Sequence, residues 1–181
     1  MPNKKTSTNQ GPIRSDEWIA ELYDELHRLA SSYVRKELAT VSLSPTVLIH
    51  ELYIRLPSSE ELSRTHFFAL ASTTMRRVLV DQARLRNRQK RGGNFVRKSF
   101  NDWNSISLSD TDQVLAVDEA LKELGSLDAR QAKIVEMKFF GGMTVEEIAD
   151  QLKVSKRTVE ADWTMAKAWL RRWFVDESQT P

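Results

Sequence analysis

Apolar residues recur every three or four positions along most of this chain, which is the spacing of an amphipathic α-helix. The first such segment begins at Asp16 and places Trp18, Leu22, Leu26 and Leu29 on one face. No segment shows the alternation of apolar and polar residues that is typical of a half-buried strand. The pattern therefore predicts an all-α protein.

Two further helices are predicted before residue 92. The second begins at Ser44, because its hydroxyl can cap free N–H groups, Pro45 suits the first helical position, and an apolar run follows until Pro57. The third, HFFALASTTMRRVLVDQARLRNRQKR, is apolar at its start and basic at its end. We interpret the adjacent Phe67 and Phe68 as core residues rather than as base-stacking platforms.

A change in composition divides the chain after Gly92 and Gly93, which end the third helix. The segment up to about Thr111 is rich in Ser, Asn and Asp and has no clear period, so it is predicted to be a flexible linker. Helical patterns resume with TDQVLAVDEALKELGSL and DARQAKIVEMKFFGG and continue to Phe174. We expect a disordered leader over 1–14, two small helical domains over 15–91 and 112–175, a linker over 92–111, and a tail over 176–181.

Composition excludes several classes of function. The 181 residues include no cysteine, so disulfides, thiolate metal sites and a cysteine nucleophile are impossible. The three histidines lie far apart without metal-ligand spacing, and no Gly-rich phosphate loop or nucleophile-base pair occurs, so we expect neither an enzyme nor a metal or other cofactor. No apolar run approaches the roughly 20 residues that span a bilayer, and no signal peptide is evident. These observations predict a cytoplasmic protein without a membrane partner.

Charge is distributed unevenly, although the net charge is only +2. The segment RLRNRQKRGGNFVRK, from Arg84 to Lys98, contains seven basic residues and no acid. Such a segment is typical either of a phosphate-binding stripe or of a solvated helix face. Charge alone does not separate these two interpretations.

The segment TVEEIADQLKVSKRTVEADWTMAKAWLRRWF predicts a helix-turn-helix. Thr144 caps the first helix and Glu147, three residues on, completes a capping box, while Val154 fills the turn and Ser155 caps the second helix. An ordinary helical hairpin is the alternative, but these features coincide at the spacing that a DNA-binding motif requires. The residues expected to meet the major groove are Ser155, Lys156, Arg157, Thr158, Glu160 and Ala161.

The order of these segments resembles one family. LYDELHRLASSYVRKEL, SPTVLIHELYIRL, HFFALASTTMRRVLVDQAR, LDARQAKIVEMKFFGGMTVEEIADQL and VSKRTVEADWTMAKAWLRR are together similar to the extracytoplasmic-function (ECF) group of sigma factors. The resemblance implies sigma regions 2 and 4, a coiled coil of the largest subunit of core RNA polymerase as one partner, and promoter DNA as the other. A free-standing helix-turn-helix regulator remains the alternative.

The resemblance also implies roles for residues of the first domain. Core polymerase would be contacted by Thr46, His50 and Glu51, and the downstream promoter element would be bound and melted by Arg76, Arg77, Arg84, Arg86 and Arg88. Contact between the two domains is expected to be weak in the free protein, because the linker has little apolar content, or to be replaced when polymerase binds.

Two departures from the family pattern affect these expectations. Glu160 and Asp162 stand where relatives often carry a basic residue, and acids there repel phosphate, although Glu can accept from the amino group of cytosine. The sequence SPTV, from Ser44 to Val47, lacks the acids that relatives present to polymerase at this helix start. ECF branches without those acids are associated with Ser/Thr kinases, so the resemblance implies phosphorylation of Thr46 and a Ser/Thr protein kinase as a further partner.

Overall fold

The computed structural model describes residues 16–34, 44–55, 63–89 and 111–176. No strand occurs in these four ranges, which confirms the all-α prediction. The predicted leader, the linker as far as residue 110 and the tail from residue 177 lie outside the described residues. The helices are α1 (Asp16–Val34), α2 (Pro45–Arg55), α3 (Arg64–Gln89), α4 (Thr111–Leu127), α5 (Ala129–Phe139), α6 (Val145–Leu152) and α7 (Lys156–Asp176).

Polar caps explain where α2 and α3 begin. Ser44 Oγ accepts a hydrogen bond of 3.2 Å from the backbone N–H of the third residue of α2, so the predicted start at Pro45 is confirmed. α3 begins at Arg64, two residues before the predicted start, because Ser63 Oγ accepts from the backbone N–H of His66 at 3.2 Å. Ser63 lies before the predicted helix, so this cap was not predicted.

The C-terminal helices begin close to their predicted positions. α4 starts at Thr111, which therefore belongs to a helix and not to the linker. The side chain of Asp128 accepts from the backbone N–H groups of Arg130 and Gln131 and so caps α5. A short turn leads from α5 to α6, and Gly142 adopts a positive φ of 62° in it, a conformation that glycine adopts at little cost.

The buried apolar residues of the seven helices in the described ranges form one hydrophobic cluster. Phe67 and Phe68 both belong to it, at 6% and 3% exposure, which confirms their interpretation as core residues. Their rings meet edge to face with centroids 5.6 Å apart, a favourable arrangement for two aromatic side chains.

The two predicted domains pack against each other through α3. This helix contacts α2 on the N-terminal side and α4, α5 and α6 on the C-terminal side. Three consecutive residues of α3, Val78, Leu79 and Val80, are buried, and consecutive helical residues point about 100° apart. Burying all three requires cover from more than one side, and the C-terminal helices supply part of it. Of the two alternatives expected, weak contact between the domains is therefore wrong for this structure, because the faces of α3 and not the linker decide it. A contact that polymerase binding replaces stays a prediction.

A search of the described helices finds none that is long and apolar enough to cross a membrane.

Candidate nucleic-acid interface

α6 and α7 form the predicted helix-turn-helix. Thr144 Oγ1 accepts from the backbone N–H of Glu147 at 3.2 Å, and the Glu147 carboxylate accepts from the backbone N–H of Thr144 at 2.8 Å, so the capping box is confirmed. Lys153 ends α6 with a left-handed φ of 55°, which directs the chain into the turn. Val154 packs against the core from this turn, as predicted, and Ser155 Oγ accepts from the backbone N–H of Thr158.

One side of α7 is buried and the opposite side of its first turns is open. Val159, Ala166 and Leu170 are fully buried, which fixes the rotation of the helix. The structure brings the six residues that the sequence analysis predicted to meet DNA together at the open N-terminal end, with all of them exposed except the half-buried Thr158. We call this group the recognition surface: Ser155, Lys156, Arg157, Thr158, Glu160 and Ala161.

The ion pair on the recognition surface is exposed. Lys156 Nζ lies 2.9 Å from Glu146 Oε1 on α6, and both side chains are about 60% exposed. The hydrogen bond from Lys156, with its positive charge, lowers the pKa of Glu146. Because exposed pairs of this kind are weak, Lys156 remains available to a phosphate.

Asp162 corrects one expectation from the sequence. It does not face the open side of α7, because its carboxylate is buried and lies 2.6 Å from Arg130 Nε on α5. The hydrogen bond and charge of Asp162 raise the pKa of Arg130. Repulsion between Asp162 and DNA phosphates is therefore not expected in this arrangement, and only Glu160 contributes an exposed acid to the recognition surface.

The five arginines predicted to act on the downstream element, which we call the α3 arginines, do not form one open surface. They are Arg76, Arg77, Arg84, Arg86 and Arg88. Arg77 and Arg88 are exposed, and Arg86 is half-buried. The guanidinium of Arg76 is enclosed by the C-terminal helices, and its side chain is 16% exposed. Arg84 is half exposed, and its Nη2 lies 3.6 Å from Asp118.

Two buried acids hold Arg76 from the C-terminal side. Arg76 Nε donates to Asp118 Oδ1 on α4 at 2.9 Å, and Nη1 donates to Glu136 Oε2 on α5 at 2.8 Å. Burial raises the pKa of Glu136, but hydrogen bonds from Thr73 and Arg76, together with the charges of Lys133 and Arg76, outweigh this and leave the pKa below its ordinary value. Glu136 is therefore an ionised partner for Arg76 at neutral pH.

Asp118 and Glu136 were not predicted from the sequence as partners of α3. A signal was present, because Asp118 lies four residues after Val114 and three before Leu121, on the face that the helical period predicts to be apolar. An acid at such a position needs a cationic or hydrogen-bonding partner when buried. The identity of that partner could not be read from the pattern.

A family model described as ECF sigma factor matches residues 6–176. The chain belongs to the ECF sigma factor family. This match confirms the resemblance, and sigma factors bind core RNA polymerase and promoter DNA to direct transcription initiation. Searches of curated proteins and of solved structures found no match. Within the described ranges, this sigma factor has no group of three or more side chains that could hold a metal ion.

A third surface of this ECF sigma factor lies on α2, which packs against α1 and α3. Thr46 and His50 are exposed one helical turn apart, and Glu51 is half-buried beside them. Val47 and Ile54 are also exposed, at 41% and 65%, although both are large apolar residues. These two apolar residues were not predicted from the sequence to be part of a surface.

Proposed function

We propose that this ECF sigma factor binds core RNA polymerase through α2 and directs promoter recognition, melting and initiation through α3 and α7. The observation that carries the proposal is the open recognition surface on a fully capped helix-turn-helix, in a chain whose family acts in transcription initiation. Residues 15–91 and 112–175 are proposed to correspond to sigma regions 2 and 4, connected by residues 92–111.

The recognition surface is proposed to read the upstream promoter element. Lys156 and Arg157 stand in the first turn of α7, where exposed cations meet phosphates or the edges of guanines. Glu160 is exposed one turn later and is suited to accept from the amino group of a cytosine. The backbone around Ser155 and Thr158 is fixed by their hydrogen bond, so these side chains would enter the groove from a rigid helix start.

The α3 arginines are proposed to bind the downstream element. Arg77 and Arg88 are already exposed, whereas Arg76 would have to exchange its two carboxylate partners for DNA. Capturing melted bases requires contacts that offset the few kcal/mol lost on unstacking. A set of cations along one helix supplies the backbone contacts for that step.

The exposed face of α2 is proposed to bind polymerase. Thr46, His50 and Glu51 lie within two turns of the helix, and exposed Val47 and Ile54 supply apolar area that is typical of a protein interface. A run-off assay with purified core polymerase tests the function directly. Transcription from a cognate promoter only in the presence of both proteins is expected. Tight binding of an operator by the free chain, without stimulation of the polymerase, would instead support a free-standing regulator.

Phosphorylation of Thr46 is proposed as the activating switch, with a Ser/Thr kinase as partner. Thr46 is exposed at the second position of α2, where free N–H groups and the positive end of the helix dipole favour a phosphate. The hydroxyl of Ser44 is engaged in capping, which makes it a poorer acceptor. The phosphate would supply the negative charge that relatives carry at this helix start.

The test of the switch measures affinity for core polymerase. Phosphorylated protein and Thr46→Glu should bind more tightly than the unmodified chain, and Thr46→Ala should stay weak. Ser126→Glu adds the same charge at an exposed position on α4 and should change nothing. If unmodified protein and Thr46→Ala both initiate at full rate, the switch does not exist.

A further inference from the structure

The contact between α3 and the C-terminal helices is centred on Arg76. All three nitrogens of its guanidinium are used, because Nη2 also donates to the backbone carbonyl of Asp118 at 3.1 Å. Asp118 and Glu136 are almost completely buried, with 8% of each side chain exposed. Among the described residues, no buried side-chain polar atom lacks a hydrogen-bond partner. The contact is therefore a satisfied network and not a chance approach of surface charges.

A second set of contacts joins the beginning of α3 to α6. Arg64 binds Glu25 of α1 through two hydrogen bonds, at 2.6 and 2.8 Å, and lies 3.4 Å from Glu147 of α6. Thr65 Oγ1 donates to Asp150 Oδ2 at 3.2 Å. The two sets lie about three turns apart along α3, so both ends of the contact are held.

Between these two sets of contacts, the backbone of the turn from α5 to α6 lies close to α3. A Cβ added at Gly141, in the turn between α5 and α6, would lie 2.5 Å from the backbone carbonyl of Met137 in α5 and 3.0 Å from the Cβ of Ser72 in α3. The approach to Met137 requires glycine at this position, and the approach to Ser72 is tight. The turn therefore packs closely against α3, in addition to the pairing by charge.

This contact affects the two DNA surfaces differently. Arg76, one of the α3 arginines, cannot donate to DNA while Asp118 and Glu136 occupy its guanidinium, and Arg84 is also drawn towards Asp118. The recognition surface lies at the far, open end of α7 and keeps its exposure. The exposed residues of α2 are likewise uncovered.

We infer that the C-terminal helices of the free protein inhibit downstream-element binding by closing on Arg76 through Asp118 and Glu136. The inference rests on the proposed role of the α3 arginines. In the closed state the chain can still meet polymerase through α2 and upstream DNA through α7. Binding and melting of the downstream element require α3 to separate from α4 and α5.

The chemistry of the closing contact makes it reversible. Burial of ion pairs carries a desolvation cost that offsets much of their attraction, so the exchange of two carboxylates for phosphates is itself nearly neutral. The remaining cost of opening is the exposure of the apolar surface that α3 shares with α4 and α5, which a binding partner has to offset. The apparent affinity for the downstream element is the affinity of the open state multiplied by the fraction of molecules that are open. Any change that opens the chain therefore restores this affinity. Binding of the C-terminal helices to polymerase would be one such change.

The first experiment locks the closed state in the full-length chain. The sequence contains no cysteine, so Thr65→Cys/Asp150→Cys can be joined selectively with a short reducible thiol crosslinker. With core polymerase, the locked protein should bind polymerase but lose run-off transcription by at least about tenfold, and reduction should restore it. Full transcription by the locked protein would overturn the inference.

The second experiment opens the contact by removing the two negative charges that hold Arg76. Glu136→Gln/Asp118→Asn should crosslink more slowly at the introduced cysteines and bind a single-stranded downstream-element oligonucleotide about tenfold more tightly. Asp81→Asn is the matched control. Asp81 is exposed in the same cleft on α3, and within the described residues it makes no hydrogen bond or ion pair with α4 or α5. The control should leave both measurements unchanged.

The outcomes separate this inference from the proposed function. Equal oligonucleotide affinity in the locked, native and opened proteins would overturn inhibition while leaving the α3 arginines as a DNA surface. An equal gain in Asp81→Asn would overturn it too, because loss of any negative charge would then suffice. Absence of binding by all the proteins, with normal crosslinking, would remove the proposed role of α3 and the inference with it.

Discussion

The recognition surface of α7 and the α3 arginines are two cationic surfaces of one small protein, but their charges are held differently. Lys156 pairs with Glu146 in the open, where both side chains are about 60% exposed. Arg76 pairs with acids that are almost completely buried. An exposed pair exchanges readily for a phosphate, whereas an enclosed pair first requires helices to separate. The availability of a cation therefore depends on which helix lies against it.

The largest expected effect comes from a core substitution beneath the recognition surface that leaves every charge unchanged. Ile148→Ala removes a fully buried side chain from α6 and should lower the free energy of unfolding by about 2–5 kcal/mol. Upstream-element recognition should fall with it, because α6 holds α7 in place. Denaturant unfolding measures the first effect, and Ile54→Ala, the same change at an exposed position, is its control. Equal stability losses in both variants would contradict the packing assigned to α6.

The next largest effect shows whether the recognition surface reads bases or contacts phosphates. Arg157→Ala should cost about 1–3 kcal/mol of binding to the upstream element and relax the preference for one base, if the guanidinium reads a guanine. Holoenzyme affinities for a set of single-base promoter variants measure this, with Arg171→Ala, also exposed on α7, as the control. Equal loss on every sequence would mean a phosphate contact, and no loss would place Arg157 outside the interface.

A smaller effect is the dependence on pH of the contact that encloses Arg76. The pKa of Glu136 is depressed in the closed state, so its contribution to closure is complete above the ordinary carboxylate value near 4.5 and is lost as pH falls through the lower closed-state value. The charged groups facing Glu136 are Arg76 of α3 and Lys133 of α5. Energy transfer between dyes on the two sets of helices measures opening, and the chain should open on acidification.

The informative quantity is the difference between native protein and Glu136→Gln, because it isolates the contribution of Glu136. The variant should be more open at neutral pH and should change less on acidification. Identical titration curves for the two proteins would show that Glu136 does not hold the closed state.

The smallest effect concerns the exposed ion pair between Lys156 and Glu146. Glu146→Gln frees Lys156 and removes an acid near the recognition surface, so upstream DNA should be bound slightly more tightly at low salt. The gain should disappear at high salt, because exposed charges are screened. A salt titration of DNA affinity measures it, with Glu119→Gln on α4 as an exposed control. A gain that persists at high salt would indicate a change other than charge.

Local sequence patterns were sufficient to predict the helices and the caps at Ser44 and Thr144, although not the cap at Ser63. The helical period, Ser44, the Thr144–Glu147 capping box and Val154 act over a few residues, so their roles could be predicted without knowledge of the rest of the chain. The same holds for the exposure of Arg157, which lies on the side of α7 opposite the buried Val159.

The sequence by itself determined the helices of this sigma factor and its helix-turn-helix, because short-range hydrogen bonds and apolar spacing specify them, and its resemblance to ECF sigma factors indicated the family. Only the tertiary structure decided that Asp162 turns inward to Arg130 and that Asp118 and Glu136 enclose Arg76. Asp162 and Arg130 are 32 residues apart, and Arg76 and Glu136 are 60 apart. Such pairings depend on how whole helices pack, which no local period encodes.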